Sequence, residues 1–385
     1  MDRGAGSVTS PQNRPTGRFS SLDGQAHQDS PPGLPLELLT PWLSRHVPVL
    51  DSSAPLTARL LTGGRSNLTY EIVDAAGQRF ALRRPPLGHV MPRAHDMARE
   101  YRVLAGLGAV NFAVPDVHAL CEDETVMGVP FMLMGFVDGR VIADSADTAT
   151  LTPEQADTVS ATLIAGLAAL HKVDIASAGL SDFGRPEGYL QRQVALWGRQ
   201  WENTKTRDMP EIEALARWLA QHVAYLPTLL PTSLVHGDYR LDNVILDPGL
   251  RSLRAVLDWE MSTLGDPVTD LAITLVYWTE SGDVLRRAVP VAQDLMSGPG
   301  FWSRERVIDE YASATGFDLS HLQFAVALAC YKLAVIMESI HYRSRAGHQM
   351  GATTERNEDM GAAAEGLAAL GVEVMSRGAL EGLRA

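Results

Sequence analysis

Cysteine is scarce in this 385-residue chain: Cys121 and Cys330 stand far apart, with no CxxC pair and no Cys/His spacing of the kind that holds zinc. Neither a disulfide framework nor a zinc site is indicated, and a reducing, cytoplasmic setting is expected. Basic charge is short as well, with 33 Lys and Arg against 46 Asp and Glu, a formal charge of −13. Non-specific nucleic-acid binding needs Lys and Arg to displace counterions from phosphates, so no nucleic-acid partner is expected. An acidic surface favours solubility and cationic ligands. The N-terminal stretch MDRGAGSVTSPQNRPTGRFSSLDGQ has no apolar run to serve as a secretory core, and export is not expected. The most apolar late segment, His321 to Ile340, contains Gln323, Lys332 and Glu338, which are costly in lipid. It reads as a buried core helix, and no membrane partner is expected. No internal repeat stands out.

What is present suits a soluble globular protein of two domains: 45% hydrophobic and 21% charged residues. Residues 1–35, rich in Gly, Ser, Pro, Gln and Asp, are expected to form a disordered tail. Over 36–137 the pattern is that of a small lobe. TARLLTGG, LTYEIVD and RFALRR alternate as strands around a turn at Asp74 to Gly77, and Pro85 and Pro86 stop the last. A helix from about Pro92 to Leu107 and the apolar VPFMLMGFVDG follow. Over 138–385 the chain turns mainly helical. Thr152-Pro153-Glu154-Gln155 supplies an N-cap, a proline at the first helical position and a capping-box Gln, starting a helix to about His171. Further helices are expected near Glu187–Asn203, Pro210–Ala224, Ser303–Ala314, 320–345 and Glu358–Leu370.

The most informative stretch runs from Leu234 to Pro267. It holds His236-Gly237-Asp238, then Asn243, then Asp258. Between the last two, Val244 to Leu246 and Ala255 to Leu257 flank a turn around Asp247-Pro248-Gly249, which predicts a hairpin. If Asp247 opposes Arg254, antiparallel pairing sets Asn243 opposite Asp258 at the open end. An amide oxygen and a carboxylate converging there suit Mg²⁺, a hard cation that completes its shell with water and substrate phosphates. Asp238, just upstream, is placed to accept a proton from an attacking hydroxyl. This is the order and spacing of a kinase catalytic loop.

HGDYRLDN and LDWE resemble the paired motifs of aminoglycoside phosphotransferases and their choline-kinase-like relatives, and the likeness extends over Thr57 to Asp270. It implies an α+β, two-lobed, protein-kinase-like fold with a small antiparallel-sheet lobe and a large helical lobe. It also implies Asp238 as catalytic base, His236 as support of its loop, and Asn243 and Asp258 as Mg²⁺ ligands. Gly237 stands where most protein kinases have Arg, and Trp259-Glu260 where they have Phe-Gly, so regulation through an activation loop is not carried over. Asp266 and Asp270 follow as the family has them, Asp270 in a structural role.

In the small lobe, Thr62 to Tyr70 joins two strands, and glycines there let backbone N–H groups approach phosphates closely. A plain Gly-Gly hairpin reads equally well. By resemblance Gly63, Gly64, Ser66 and Asn67 are the candidate phosphate contacts. Kinases also use a cation on the α- and β-phosphates, held by a helix carboxylate. The matching positions are Arg83 and Glu100, with Arg in place of the usual Lys. Met134, Gly135 and Phe136 occupy the expected hinge, where backbone groups could pair with a purine edge.

YLQRQVALWGRQWENTKT and MESIHYRSRAG are similar to the branch found as a kinase-like domain attached to acyl-CoA dehydrogenases. That resemblance implies a hydroxylated acyl acceptor, such as a coenzyme A thioester, in place of an antibiotic. The expected function is transfer of the γ-phosphoryl group of Mg-ATP, with GTP not excluded, to a small hydroxyl-bearing substrate. Arg83 keeps open the alternative of a nucleotide-binding pseudokinase that acts as an interaction module. The oligomeric state is open.

Overall fold

The computed structural model describes residues 30–61, 67–87, 96–227, 231–288, 295–345 and 354–384, with backbone only at 354–359. The small lobe opens with helix α1 (Leu36–His46), followed by strands β1 (Thr57–Leu61), β2 (Leu68–Val73) and β3 (Arg79–Arg84). Helix α2 (Met97–Ala109), strand β4 (Val117–Cys121), helix α3 (Glu124–Met127) and strand β5 (Phe131–Gly135) complete it. The sheet is antiparallel throughout, in the order β1-β2-β3-β5-β4.

Strand alternation divides this lobe into two layers. Tyr70, Ile72, Phe80, Leu82 and Phe131 face α1, where Leu39 and Leu43 cover them. Ala81, Met132 and Met134 face the other way and meet Val103, Leu104 and Leu107 of α2. Each fully buried side chain of this size contributes roughly 1.5–3 kcal/mol. The same alternation puts Arg83, two residues after Ala81, on the α2 side.

The packed chain begins before the expected boundary at 36. Leu34 is buried in the small core, Tyr70 Oη donates to the Pro32 carbonyl at 2.6 Å, and Arg84 Nη1 donates to that of Gly33 at 2.6 Å. Helix α1 itself has no counterpart among the expected elements: its N-cap residue, Pro35, has no capping side chain, and Pro41 sits inside it. The expected start of α2 near Pro92 lies outside the described residues; Asp96 caps the helix on the Arg99 N–H at 2.9 Å.

The large lobe carries the short helix α4 (Ser145–Thr148), then α5 (Pro153–His171), α6 (Tyr189–Thr204) and α7 (Pro210–His222). Two small antiparallel pairs interrupt the helices: β6 (Ser233–Val235) with β9 (Thr263–Gly265), and β7 (Val244–Leu246) with β8 (Leu253–Val256). Helices α8 (Val268–Tyr277), α9 (Arg304–Thr315), α10 (Leu322–Arg345), α11 (Thr354–Arg377) and α12 (Ala379–Leu383) follow. The Thr152–Gln155 capping box forms as expected. Among the described residues, α10 is the one helix long and apolar enough to cross a bilayer. It lies instead in the lobe's interior, packed by α6, α7, α8 and α11.

Helix α2 also reaches the large lobe. Arg99 stacks on the Phe183 ring at 3.9 Å and donates to the carbonyls of Phe183 and Ser262 at 2.9 and 3.0 Å.

Candidate active site

Pairing of β6 with β9 brings the chain just before His236 beside the chain just after Met261, so the loop and turn between them share one edge of the large lobe. Within that loop, Gly237 has φ +86, and a Cβ there would stand 2.8 Å from the Met261 carbonyl oxygen. Glycine is required on both counts. Asp270, at the start of α8, accepts the backbone N–H groups of His236 at 2.6 Å and Gly237 at 2.8 Å, and His171 Nε2 at 3.2 Å. Burial by itself would raise the Asp270 carboxyl; the His171 hydrogen bond, the imidazoles of His171 and His236, and the Gly237 N–H outweigh it and hold the group below the ordinary value.

His236 is fully buried and wired at both nitrogens. Nε2 meets the Leu257 carbonyl at 2.9 Å, and Nδ1 accepts the Asp238 N–H at 3.2 Å, so the partners assign the proton to Nε2. Its ring lies 4.6 Å from that of Trp259. It thus ties the loop to the end of β8 and supports the backbone of Asp238.

The Asp238 carboxylate is held through one oxygen. Oδ2 accepts Arg240 Nε at 3.0 Å and Asn243 Nδ2 at 3.1 Å, while Asn243 Nδ2 also donates to the Asp238 carbonyl at 2.9 Å. Among the described residues Oδ1 receives no hydrogen bond, and the side chain keeps 21% exposure. Arg240 pairs with Asp242 as well and lies over the Tyr277 ring at 5.1 Å. Burial would lower its pKa, but the charges of Asp238 and Asp242 raise it and keep the guanidinium charged.

The hairpin forms with a register shifted from the one expected. Val244 pairs with Val256 and Ile245 with Ala255, then an irregularity sets Leu246 against Leu253. Asp247 N–H meets the Ser252 carbonyl, and Asn243 O accepts the N–H of Leu257, not of Asp258. Asp258 is one residue beyond the pair, in a left-handed conformation at φ +68 that turns the chain into the Trp259–Met261 turn. Asp tolerates that conformation better than most residues.

Arg83 Nε donates to Glu100 Oε2 at 3.0 Å, and its Nη2 to Asp258 Oδ1 at 2.5 Å. The first bond lies within the small lobe and the second crosses to the large one. Burial pushes the Glu100 carboxyl up against the pull of Arg83, whereas at Asp258 the charge and hydrogen bond of Arg83 work against burial and the carboxyl is held down. A second crossing contact runs from Asn67 Nδ2 to Glu260 Oε2 at 3.3 Å, with Asn67 buried. Gly63, Gly64 and Ser66 lie outside the described residues.

At the hinge, two of the backbone N–H groups are already engaged within the small lobe. The Gly135 N–H donates to the Asp116 carbonyl at 2.8 Å and the Phe136 N–H to that of Arg79 at 3.2 Å, while Met134 pairs with Ala81 in the sheet. Sheet pairing has taken both N–H donors, so these two cannot serve a base.

The donor set suits magnesium. With its Nδ2 turned to Asp238, Asn243 has its amide oxygen left over, and Asp258 adds a depressed-pKa carboxylate with 31% exposure. These are hard oxygens, few in number, as Mg²⁺ takes when phosphates complete its shell. Among the described residues no three His, Cys, Asp or Glu side chains cluster into a metal cage.

Two residues of the site escaped the sequence reading. Arg240 had a local signal, lying between Asp238 and Asp242. Lys332 had none: it reaches the loop from α10, its Nζ 2.6 Å from the Gly237 carbonyl oxygen.

Comparison with known proteins places the chain in a family. The profile of the phosphotransferase enzyme family designated APH matches residues 57–311. The chain is 34% identical over 327 residues to acyl-CoA dehydrogenase family member 11 of Gallus gallus, an alignment covering 84% of this chain and 41% of that protein. It therefore spans about two fifths of that relative's length. A protein of Ralstonia eutropha JMP134, provisionally assigned as an aminoglycoside phosphotransferase, has a crystal structure 31% identical in sequence with a TM-score of 0.73, covering 89% of this chain and 98% of that one. A thermostable mutant of aminoglycoside phosphotransferase APH(4)-Ia, in ternary complex with AMP-PNP and hygromycin B, shares the fold at 15% identity and a TM-score of 0.55, over 83% of this chain and 94% of that one. The resemblance in the motifs, the order of the lobes and a family match over more than half the sequence lead to one conclusion: this chain belongs to the APH phosphotransferase enzyme family.

Proposed function

We propose that the chain is a small-molecule kinase that transfers the γ-phosphoryl group of a nucleoside triphosphate, ATP or GTP, to a substrate hydroxyl. The observation that carries this reading is the state of Asp238: Oδ2 is fixed by Arg240 and Asn243, and Oδ1 is left to face an incoming hydroxyl. In the proposed step the hydroxyl proton moves to Asp238 Oδ1 as the substrate oxygen bonds to the γ-phosphorus. The bond from that phosphorus to the β-phosphate oxygen breaks, and the nucleoside diphosphate leaves. Asn243 and Asp258 are the residues that would hold Mg²⁺, which when bound neutralises charge on the β- and γ-phosphates. Arg83, held by Glu100, is the candidate cation for the remaining phosphate charge, and Asn67 is a candidate contact at the phosphate loop. His236 keeps the base in place. AMP-PNP in the APH(4)-Ia neighbour supports nucleotide use by this fold.

A small recess beside Gly237, open to solvent, is lined by Tyr189, Gln193, Trp197, Leu328 and Lys332 among others, and no carboxylate is among its lining residues. One cation amid apolar walls suits an uncharged or anionic acceptor with an apolar body better than a polyamine. This supports a hydroxyacyl compound, in keeping with the acyl-CoA dehydrogenase relatives, over an aminoglycoside. A cytoplasmic setting accords with two buried free thiols.

The second reading, a nucleotide-binding pseudokinase acting as an interaction module, draws on Arg83 lying on Asp258, where a metal would sit. Nucleoside-diphosphate release by the purified chain separates the two. With Mg-ATP or Mg-GTP, release is expected with hydroxyacyl thioesters and not with aminoglycosides, macrolides or choline-like amines. Nucleotide binding with no transfer to any acceptor would favour the module.

A further inference from the structure

Lys332 lies in the most apolar stretch of α10, between buried Tyr331 and Leu333, and is itself half-buried. An ammonium in such a place is costly without partners. Burial lowers its pKa, and the charges of Asp238 and Asp270 oppose that. Its Nζ lies 5.7 Å from the Trp197 ring centre, and its one hydrogen-bond acceptor among the described residues is the carbonyl of Gly237, at 2.6 Å.

That carbonyl belongs to the peptide whose N–H is Asp238's own. Gly237 is the freest point of the catalytic loop, since glycine has the widest choice of backbone angles. Its N–H is already held by Asp270 Oδ1 at 2.8 Å. Lys332 holds the other side of the same residue, so its two peptide groups are held by charged side chains from separate helices, the buried Asp270 and the half-buried Lys332. We propose that Lys332 is a positioning residue, which fixes the Gly237 carbonyl and, through that peptide, the place of the Asp238 carboxylate. Asp270 holds the N–H on one side of Gly237, and His236 Nδ1 accepts the Asp238 N–H of the following peptide at 3.2 Å; the ammonium on α10 adds the hold on the carbonyl of that same peptide. The inference rests on the reading of Asp238 as the base.

The test compares the full chain with Lys332→Met and Lys332→Arg, reading amide hydrogen exchange and Mg-ATP hydrolysis with water as the acceptor. In Lys332→Met, amides of residues 237–239 are expected to exchange at least about tenfold faster, with the body of α8 within about twofold of the parent. kcat should fall about 10- to 100-fold, the effect of a small misplacement of a reacting group, with the KM for ATP within about twofold. Lys332→Arg, which can still donate to the carbonyl, should recover most of the loss. Lys332→Gln, neutral and shorter, replaces the Met variant if that fails to fold and should behave like it.

Unchanged exchange at 237–239 overturns the proposal, as does a loss spread evenly over the large lobe, or a kcat that Arg does not rescue. If the parent chain shows no turnover dependent on Asp238, the kinase reading falls, and the exchange data still decide whether Lys332 fixes the loop.

Discussion

Arg83, on the sheet of the small lobe, donates from Nη2 to Oδ1 of Asp258 in the large lobe at 2.5 Å. The same guanidinium holds Glu100 through Nε, so one side chain joins the helix carboxylate to the proposed metal ligand. Planar, forked and always charged, an arginine can span two acids in different directions; a lysine at this position has a single point charge to divide between them.

Arg83→Lys should therefore loosen the grip on Asp258 and leave its carboxylate more open to magnesium. Losing one charge-assisted hydrogen bond at a partly exposed acid is worth about 1 kcal/mol, or roughly fivefold. The Mg²⁺ concentration for half-maximal nucleotide binding, read by calorimetry at fixed nucleotide, should fall by about that factor. An unchanged or higher requirement would show that Arg83 does not compete for the site.

Gly237 and Gly77 both have positive φ, +86 and +81, but only Gly237 is crowded, because nothing lies within 4 Å of a Cβ on Gly77. Ala at either site carries the left-handed penalty of roughly 1–2 kcal/mol. Gly237→Ala must also push against the Met261 carbonyl and should lower Tm by several degrees more than Gly77→Ala, at about 2–4 °C per kcal/mol for a large domain. Equal Tm losses, measured by calorimetry, would mean that the loop yields without cost.

The buried Asp270 makes acid stability testable. Its carboxyl is held below the 3.8 of an ordinary Asp, so on acidification the unfolded chain takes up that proton first. The group's contribution is present above about pH 4 and is lost as pH falls below that value toward the folded pKa. Asp270→Asn should be less stable at neutral pH and show a shallower fall in denaturation midpoint between about pH 4 and pH 3. Parallel curves for the two proteins would remove Asp270 from the acid transition.

The candidate catalytic segment could be picked out as a unit because its spacing is local. His236, Gly237, Asp238 and Asn243 lie within eight residues, and Asp258 follows one hairpin later. The register of that hairpin was not legible: the irregularity between Ile245 and Leu246, and the left-handed Asp258, leave no mark in an alternating apolar pattern. In the small lobe β1, β2 and β3 could be read from alternation. Val117–Cys121 and Leu36–His46 could not, one being a short edge strand and the other a helix with Pro35 at its N-cap and Pro41 inside it. Arg83 could be paired with Glu100 by motif, but its bond to Asp258 joins residues 175 apart in sequence. Lys332 lies 95 residues from the Gly237 it touches. Contacts of that range follow from helix packing, which short patterns do not encode.

The base assignment is tested most directly by Asp238→Asn, which nearly keeps the volume of the side chain while removing its capacity to take a proton. The reading is nucleoside-diphosphate release from Mg-ATP with a hydroxyacyl thioester, beside nucleotide affinity measured on the same preparation. Release should fall about 10²- to 10⁴-fold with affinity nearly unchanged. Release within a few fold of the parent, in a variant that folds and binds nucleotide normally, would contradict the role of Asp238 as base.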